Sequence, residues 1–135
     1  MASVVLAVVG INQYDDYGTL ERKVNREIER LTDPLREIIV SEDRGVSALG
    51  REYALNKKVK HRVFKADWDT NGKQAGFLRN HDIVAAAHRL IIFYDGKCRY
   101  TKDLIDRALG ARKLVKIVNV VPTQLTYTFE ETKNG

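Results

Sequence analysis

Five short apolar runs, at residues 3–9, 38–40, 61–65, 90–94 and 114–118, recur along the chain, and apolar residues at helical spacing lie in the intervals between them. In the first interval Leu20, Val24, Ile28 and Leu31 follow Thr19, a candidate N-cap, and Asp33-Pro34 ends the pattern. Ile38-Ile39-Val40 is β-branched and favours extended backbone. Residues 46–58 then turn Leu49, Tyr53 and Ala54 to one face, and Ile83, Val84 and Ala87 form the apolar face of a third helix. The strongest strand signal is Leu90-Ile91-Ile92-Phe93-Tyr94. Thr101 can cap a helix carrying Leu104, Ile105, Ala108 and Leu109, stopped by Gly110. Five strands alternating with four helices through short polar loops predict an α/β domain with a mainly parallel sheet covered on both faces, a Rossmann-like three-layer fold. In the third strand Val63 stands among polar neighbours beside Phe64, as expected near a sheet edge.

At 135 residues the chain suits one domain, assigned here to residues 1–120. Beyond Pro122, Leu125, Tyr127 and Phe129 alternate with Thr126 and Thr128, so residues 121–135 read as an edge strand or an inter-subunit arm with a frayed end. The first apolar run is too short to span a membrane and lacks the basic flank of a signal peptide, which predicts a buried strand. Cys98 is the only cysteine, which excludes a disulfide framework and a thiolate zinc cluster and makes the cytoplasm the expected location. His61, His81 and His88 are scattered without metal-ligand spacing, so neither a metal nor another cofactor is expected. The formal charge is +5, but cations and carboxylates are interleaved, which implies a modest preference for anionic ligands and no nucleic-acid coat.

In an open parallel sheet the ligand lies beyond the carboxyl ends of the strands, where strand order reverses. That rule puts residues 10–14, 41–45, 67–80 and 95–101 on one rim, with Arg44, Lys73, Arg79, Lys97 and Arg99 as counter-charges for a phosphate at helix N-termini. Gly10, Asn12, Gly45, Asn80, Asp95, Gly96 and Thr101 complete the polar candidates. Trp68 offers a stacking surface for a base or a plug between loop and sheet. Asp67 and Asp69 suit ribose hydroxyls, turn formation or acid–base chemistry. Arg79 suits a ligand contact or a salt bridge, Tyr14 and Tyr100 supply ring surfaces, and Cys98 lies between Lys97 and Arg99 without an adjacent histidine.

The stretch Ala66-Asp67-Trp68-Asp69-Thr70-Asn71-Gly72-Lys73-Gln74-Ala75-Gly76-Phe77-Leu78-Arg79-Asn80, followed by an apolar strand and Tyr94-Asp95-Gly96-Lys97, resembles the small YspA-like branch of the SLOG superfamily. That superfamily also holds the Lonely-guy phosphoribohydrolases and the DNA-processing DprA proteins. The resemblance covers about residues 4 to 119 and implies a Rossmannoid fold, a pocket for a nucleotide or nucleotide-derived ligand, and assembly into homo-oligomers. Three loops depart from the branch. Its first loop usually begins Gly-Ser-Arg, but here it reads Gly10-Ile11-Asn12. Its second usually reads Ser-Gly-Gly-Ala-Arg-Gly-x-Asp, but here Ser41-Glu42-Asp43-Arg44-Gly45 puts acids where the glycine pair stood. Its fourth usually reads Gly-x-Ser-x-Gly-Thr, but here it is Gly96-Lys97-Cys98-Arg99-Tyr100-Thr101.

The expectation is a protein that binds an ADP-ribose-like or cyclic-nucleotide signal, as a sensor or as a sequestering protein of the kind a phage would use against nucleotide signalling. The alternative is hydrolysis of a nucleoside-monophosphate N-glycosidic bond, with Asp67, Asp69 or Asp103 stabilising the oxocarbenium-like centre. DNA binding by analogy with DprA would call for a concentrated basic run, and the sequence has none.

Overall fold

A computed structural model describes residues 2–121. Strands β1 (Val4–Gly10), β2 (Leu35–Ser41), β3 (His61–Phe64), β4 (Arg89–Tyr94) and β5 (Leu114–Asn119) alternate with helices α1 (Tyr17–Glu29), α2 (Val46–Asn56), α3 (Trp68–Asn71), α4 (Gln74–Ala86) and α5 (Arg99–Gly110). The strands form one parallel sheet in the order β3-β2-β1-β4-β5. This is the Rossmann-like α/β architecture read from the alternation of runs.

The apolar runs are continuous because both faces of the central strands are buried. Leu6 and Val8 of β1, with Ile38, Val40, Ile91 and Phe93, pack under Leu20 and Val24 of α1 and Val46, Tyr53 and Ala54 of α2. Their neighbours Val5, Ala7 and Val9, with Ile39, Leu90 and Ile92, pack under Ile83 and Val84 of α4 and Leu104, Ile105 and Ala108 of α5. Successive residues of one strand thus feed two cores, the two-residue period of extended chain put to use on both sides. Strand β3 is an edge strand, as its mixed pattern implied, and β5 forms the other edge. The His88 side chain supports the start of β1, where its Nδ1 accepts from the Val5 N–H at 2.9 Å.

Buried charges inside the layers are matched. Glu27 accepts from Arg30 at 3.2 Å and from Arg89 at 3.3 Å, and Glu37 accepts from Arg62 at 2.9 Å. Strand β2 extends to Leu35, beyond the three β-branched residues, because it pairs with β1 from Val4 onward, and the charge at position 37 is neutralised by Arg62 of β3.

Two helix starts differ from expectation, and a third helix is divided. The N-cap of α1 is Asp16, not Thr19: its carboxylate accepts from the Thr19 N–H at 3.0 Å and from the Thr19 hydroxyl at 2.6 Å. An ionised acceptor outcompetes a hydroxyl for an orphan N–H, so the helix begins three residues early. Those hydrogen bonds hold the Asp16 carboxyl below its ordinary pKa. Thr101 lies within α5, which starts at Arg99. The third helix divides into the single turn α3 and then α4, which begins at Gln74 after Gly72 and Lys73.

The expected extension at 121–135 lies, beyond Val121, outside the described residues. Among the described residues no helix is long and apolar enough to cross a membrane.

Candidate functional site

The chain leaves β1 on one side toward β2 and β3 and returns on the other as β4, so a crevice opens beyond the carboxyl ends of β1 and β4. Gly10 ends β1 against β4, and a Cβ there would collide with the Phe93 carbonyl. The first loop then lies over the start of α2. The Val46 N–H donates to the Ile11 carbonyl at 3.1 Å, and Gly45, at φ +71°, fits because a side chain would run into the backbone of Ile11 and Asn12.

The second loop is organised by its own polar groups. The Ser41 hydroxyl lies 2.8 Å from Ser47 Oγ and 3.0 Å from an Asp43 carboxylate oxygen, and the Asp43 N–H donates to Ser41 Oγ at 3.3 Å. Glu42 accepts from the Ala66 N–H at 2.8 Å, which ties this loop to the third. Asp43 is thereby aimed at Arg79 of α4. Its two oxygens lie 2.9 Å from Nη2 and 3.2 Å from Nη1, and Glu42 lies 3.7 Å from Nη1. Arg79 is only 5% exposed. Its Nε is buried and has no hydrogen-bond partner among the described residues, a state that costs about 1–3 kcal/mol for a buried donor.

The third loop and α4 form the opposite wall. The Tyr100 ring occupies the space a Cβ on Gly76 would need, 2.5 Å from it, with Trp68 on the same glycine at 3.1 Å. Tyr100 meets Trp68 edge-on with centroids 5.8 Å apart and Phe77 at 4.7 Å, and its hydroxyl donates to the Lys73 carbonyl at 3.0 Å. Asn80 is buried and donates to the Tyr100 carbonyl at 2.8 Å and to Asp103 at 3.1 Å. Asp103 in turn accepts from Arg107 at 2.6 Å. Trp68, Lys73, Gly76, Phe77 and Asn80 of the Ala66–Asn80 stretch therefore meet Tyr100 and Asp103 of α5.

The fourth loop folds onto its own acid. Asp95 accepts from the N–H groups of Lys97 and Cys98 at 2.8 and 2.9 Å. Burial pushes the Asp95 carboxyl up, but the backbone hydrogen bonds and the Lys97 charge together leave its pKa below the ordinary carboxylate value.

These walls border a pocket of about 100 Å³ that is open to solvent on one side. Of the residues singled out from the sequence, Gly10, Asn12, Trp68, Arg79, Asn80, Cys98, Tyr100 and Thr101 line it, together with Ser41, Asp43 and the apolar Val9 of β1, Ile83 of α4 and Leu104 of α5. Lys73 and Arg99 border a second cleft of about 160 Å³ with Gln74, Phe77 and Tyr100, so Tyr100 is common to both.

The other candidates have different places. Tyr14 packs on Phe93 with centroids 5.0 Å apart, and burial, then Asp16, raise its pKa. Arg44, Gly96 and Lys97 are exposed, and Gly45 is covered by the first loop. Asp67 caps α3 through the Thr70 N–H at 3.1 Å. Asp69 is exposed in the first turn of α3. None of Asp67, Asp69 and Asp103 lines the pocket.

Ser41 and Asp43 line the pocket without having been singled out from the sequence. Their signal was available in the Ser41-Glu42-Asp43 string of the second loop, which supplies a counter-ion for a buried arginine. The fold and the pocket define a Rossmann-like α/β protein with a small crevice at the strand-order reversal. No family model, curated protein or solved structure matches the chain.

Proposed function

We propose that this is a binding protein for a nucleotide-derived small molecule, such as an ADP-ribose-like or cyclic-nucleotide signal, acting in the cytoplasm as a sensor or sequestering protein of SLOG type. The observation that carries the reading is the buried guanidinium of Arg79 at the crevice, held by Asp43 yet left with an Nε that has no partner among the described residues. A donor kept out of water without a partner stabilises nothing by itself, and such a donor at a crevice suits the acceptor of a ligand. The Trp68 and Tyr100 rings beside it suit a planar or sugar ring.

Binding is favoured over N-glycosidic hydrolysis because Asp67 and Asp103 already serve structural hydrogen bonds and no carboxylate nominated for that chemistry borders the pocket. The test is mass spectrometry of small molecules released from protein incubated with a nucleotide-rich extract. An intact nucleotide derivative, absent from an Arg79→Lys preparation, is the expected result. Release of free base from a panel of nucleotides would replace binding with hydrolysis.

Self-association belongs to the same reading. Leu109, Leu114, Ile117 and Val121 are exposed on α5, on the edge strand β5 and just beyond it, a surface that a second copy can cover. A light-scattering mass equal to one chain would remove this part of the proposal.

A further inference from the structure

Resting on the nucleotide-binding reading, we infer that the crevice pocket receives the uncharged end of the ligand, a base or ribose, and that phosphate stays outside it on Lys73 and Arg99, beyond the Tyr100 ring. At three places where a phosphate would be cradled, the chain supplies its own acceptor. The Val46 N–H at the start of α2 goes to the Ile11 carbonyl. The Lys97 and Cys98 N–H groups of the fourth loop go to Asp95. The two Nη groups of Arg79 go to Asp43, with Glu42 close by.

Among the described residues, Arg79 and Asp43 are the only charged ones lining the pocket, and they are of opposite sign. A phosphate entering there would gain no uncompensated cation and would face the Asp43 carboxylate, whose like charge repels it. The groups left to recognise a ligand are neutral, chiefly the Asn12 and Thr101 side chains and the Trp68 ring. The Arg79 Nε adds a donor. Because it is shielded from solvent, it takes up an acceptor only with a local shift of the Asp43–Arg79 pair, and a neutral carbonyl, ring nitrogen or hydroxyl lets that pair stay together.

Size points the same way. A pocket of about 100 Å³ is well below the roughly 300–1,000 Å³ of sites that enclose a whole drug-sized ligand, so it accommodates one part of a nucleotide. The second cleft shares Tyr100, has Lys73 and Arg99 at its border, and has no carboxylate among its described lining residues. Both cations are exposed and suit a phosphate held at the surface.

Trp68 lines the pocket, is 42% exposed and is the only tryptophan, so its fluorescence reports occupancy. The experiment titrates the full chain with the four ribonucleosides, their 5′-monophosphates, ADP-ribose and inorganic phosphate. It is repeated with Lys73→Gln/Arg99→Gln and with Arg79→Lys. The expected result is binding of at least one nucleoside, with its monophosphate tighter by about tenfold at low salt. That advantage disappears in the double variant, and inorganic phosphate does not displace the nucleoside. Displacement of the nucleoside by inorganic phosphate would overturn the inference while leaving nucleotide binding intact. So would a monophosphate advantage that survives the double variant, whatever the Arg79→Lys preparation binds. If nothing in the panel binds, the nucleotide reading fails and this inference with it.

Discussion

On the α4–α5 side of the pocket, Tyr100 fills the space beside Gly76 and is held between Trp68 and Phe77. On the side of the first and second loops, Ser41, Ser47 and Asp43 bond to one another, and Asp43 reaches across to Arg79. One wall is shaped by close contact, which is short-ranged and intolerant of added volume. The other depends on charge matching, which tolerates a change of shape but not the loss of one partner. The same cavity should therefore fail in two different ways.

The largest expected effect is on the charged wall. Asp43→Ala leaves the Arg79 guanidinium buried beside only the more distant Glu42, and a loss of about 3 kcal/mol in unfolding free energy is expected. The double variant Asp43→Ala/Arg79→Met should recover much of that loss, and urea denaturation of all four members of the cycle measures the coupling. Additive single effects would show that the two residues do not act as a pair.

On the packed wall, Gly76→Ala forces the Tyr100 ring to move and should cost about 1–3 kcal/mol. Trp68 emission should change as well, because both rings touch that glycine. A neutral Gly76→Ala would mean that Tyr100 is free to relocate and is no fixed wall. Asn80→Ala removes two donations that join α4 to α5, and a loss of about 1–2 kcal/mol is expected from thermal or urea unfolding.

The smallest effect is acid sensitivity away from the walls. Asp16 and Asp95 both have folded-state pKa values below their unfolded ones. Their contribution is therefore fully present above the unfolded value near about 4 and is lost as pH falls through the folded value. Urea midpoints measured from neutral pH downward should stay level and then drop on the acid side of about pH 4. Asp16→Asn/Asp95→Asn should flatten that drop while keeping the side-chain acceptors in place. An unchanged acid limb would assign it to other carboxylates.

The parallel sheet was legible because its strands are buried on both faces, and the resulting unbroken runs, such as Leu90 to Tyr94, resemble few other structures. Helix starts were less legible. Asp16 and Thr19 are both good capping residues, and the contest between them turns on backbone angles and charge at one short loop. Tyr14 could not be placed by type alone, since a ring before a helix packs on whichever neighbour the sheet presents, here Phe93.

The site divides along the same line. The order of apolar runs and polar loops determined, by itself, that several loops would share one rim and that Trp68, Arg79 and Tyr100 would be near it. Only the tertiary structure decided that Arg79 answers to Asp43, 36 residues earlier, that Asp95 and Ile11 satisfy N–H groups a phosphate could have used, and that Gly76 makes room for Tyr100. Periodicity is a local property that the chain carries wherever it goes. The choice of a partner for a buried charge, donor or ring is made between segments far apart in sequence, and it is settled when the sheet brings their ends together.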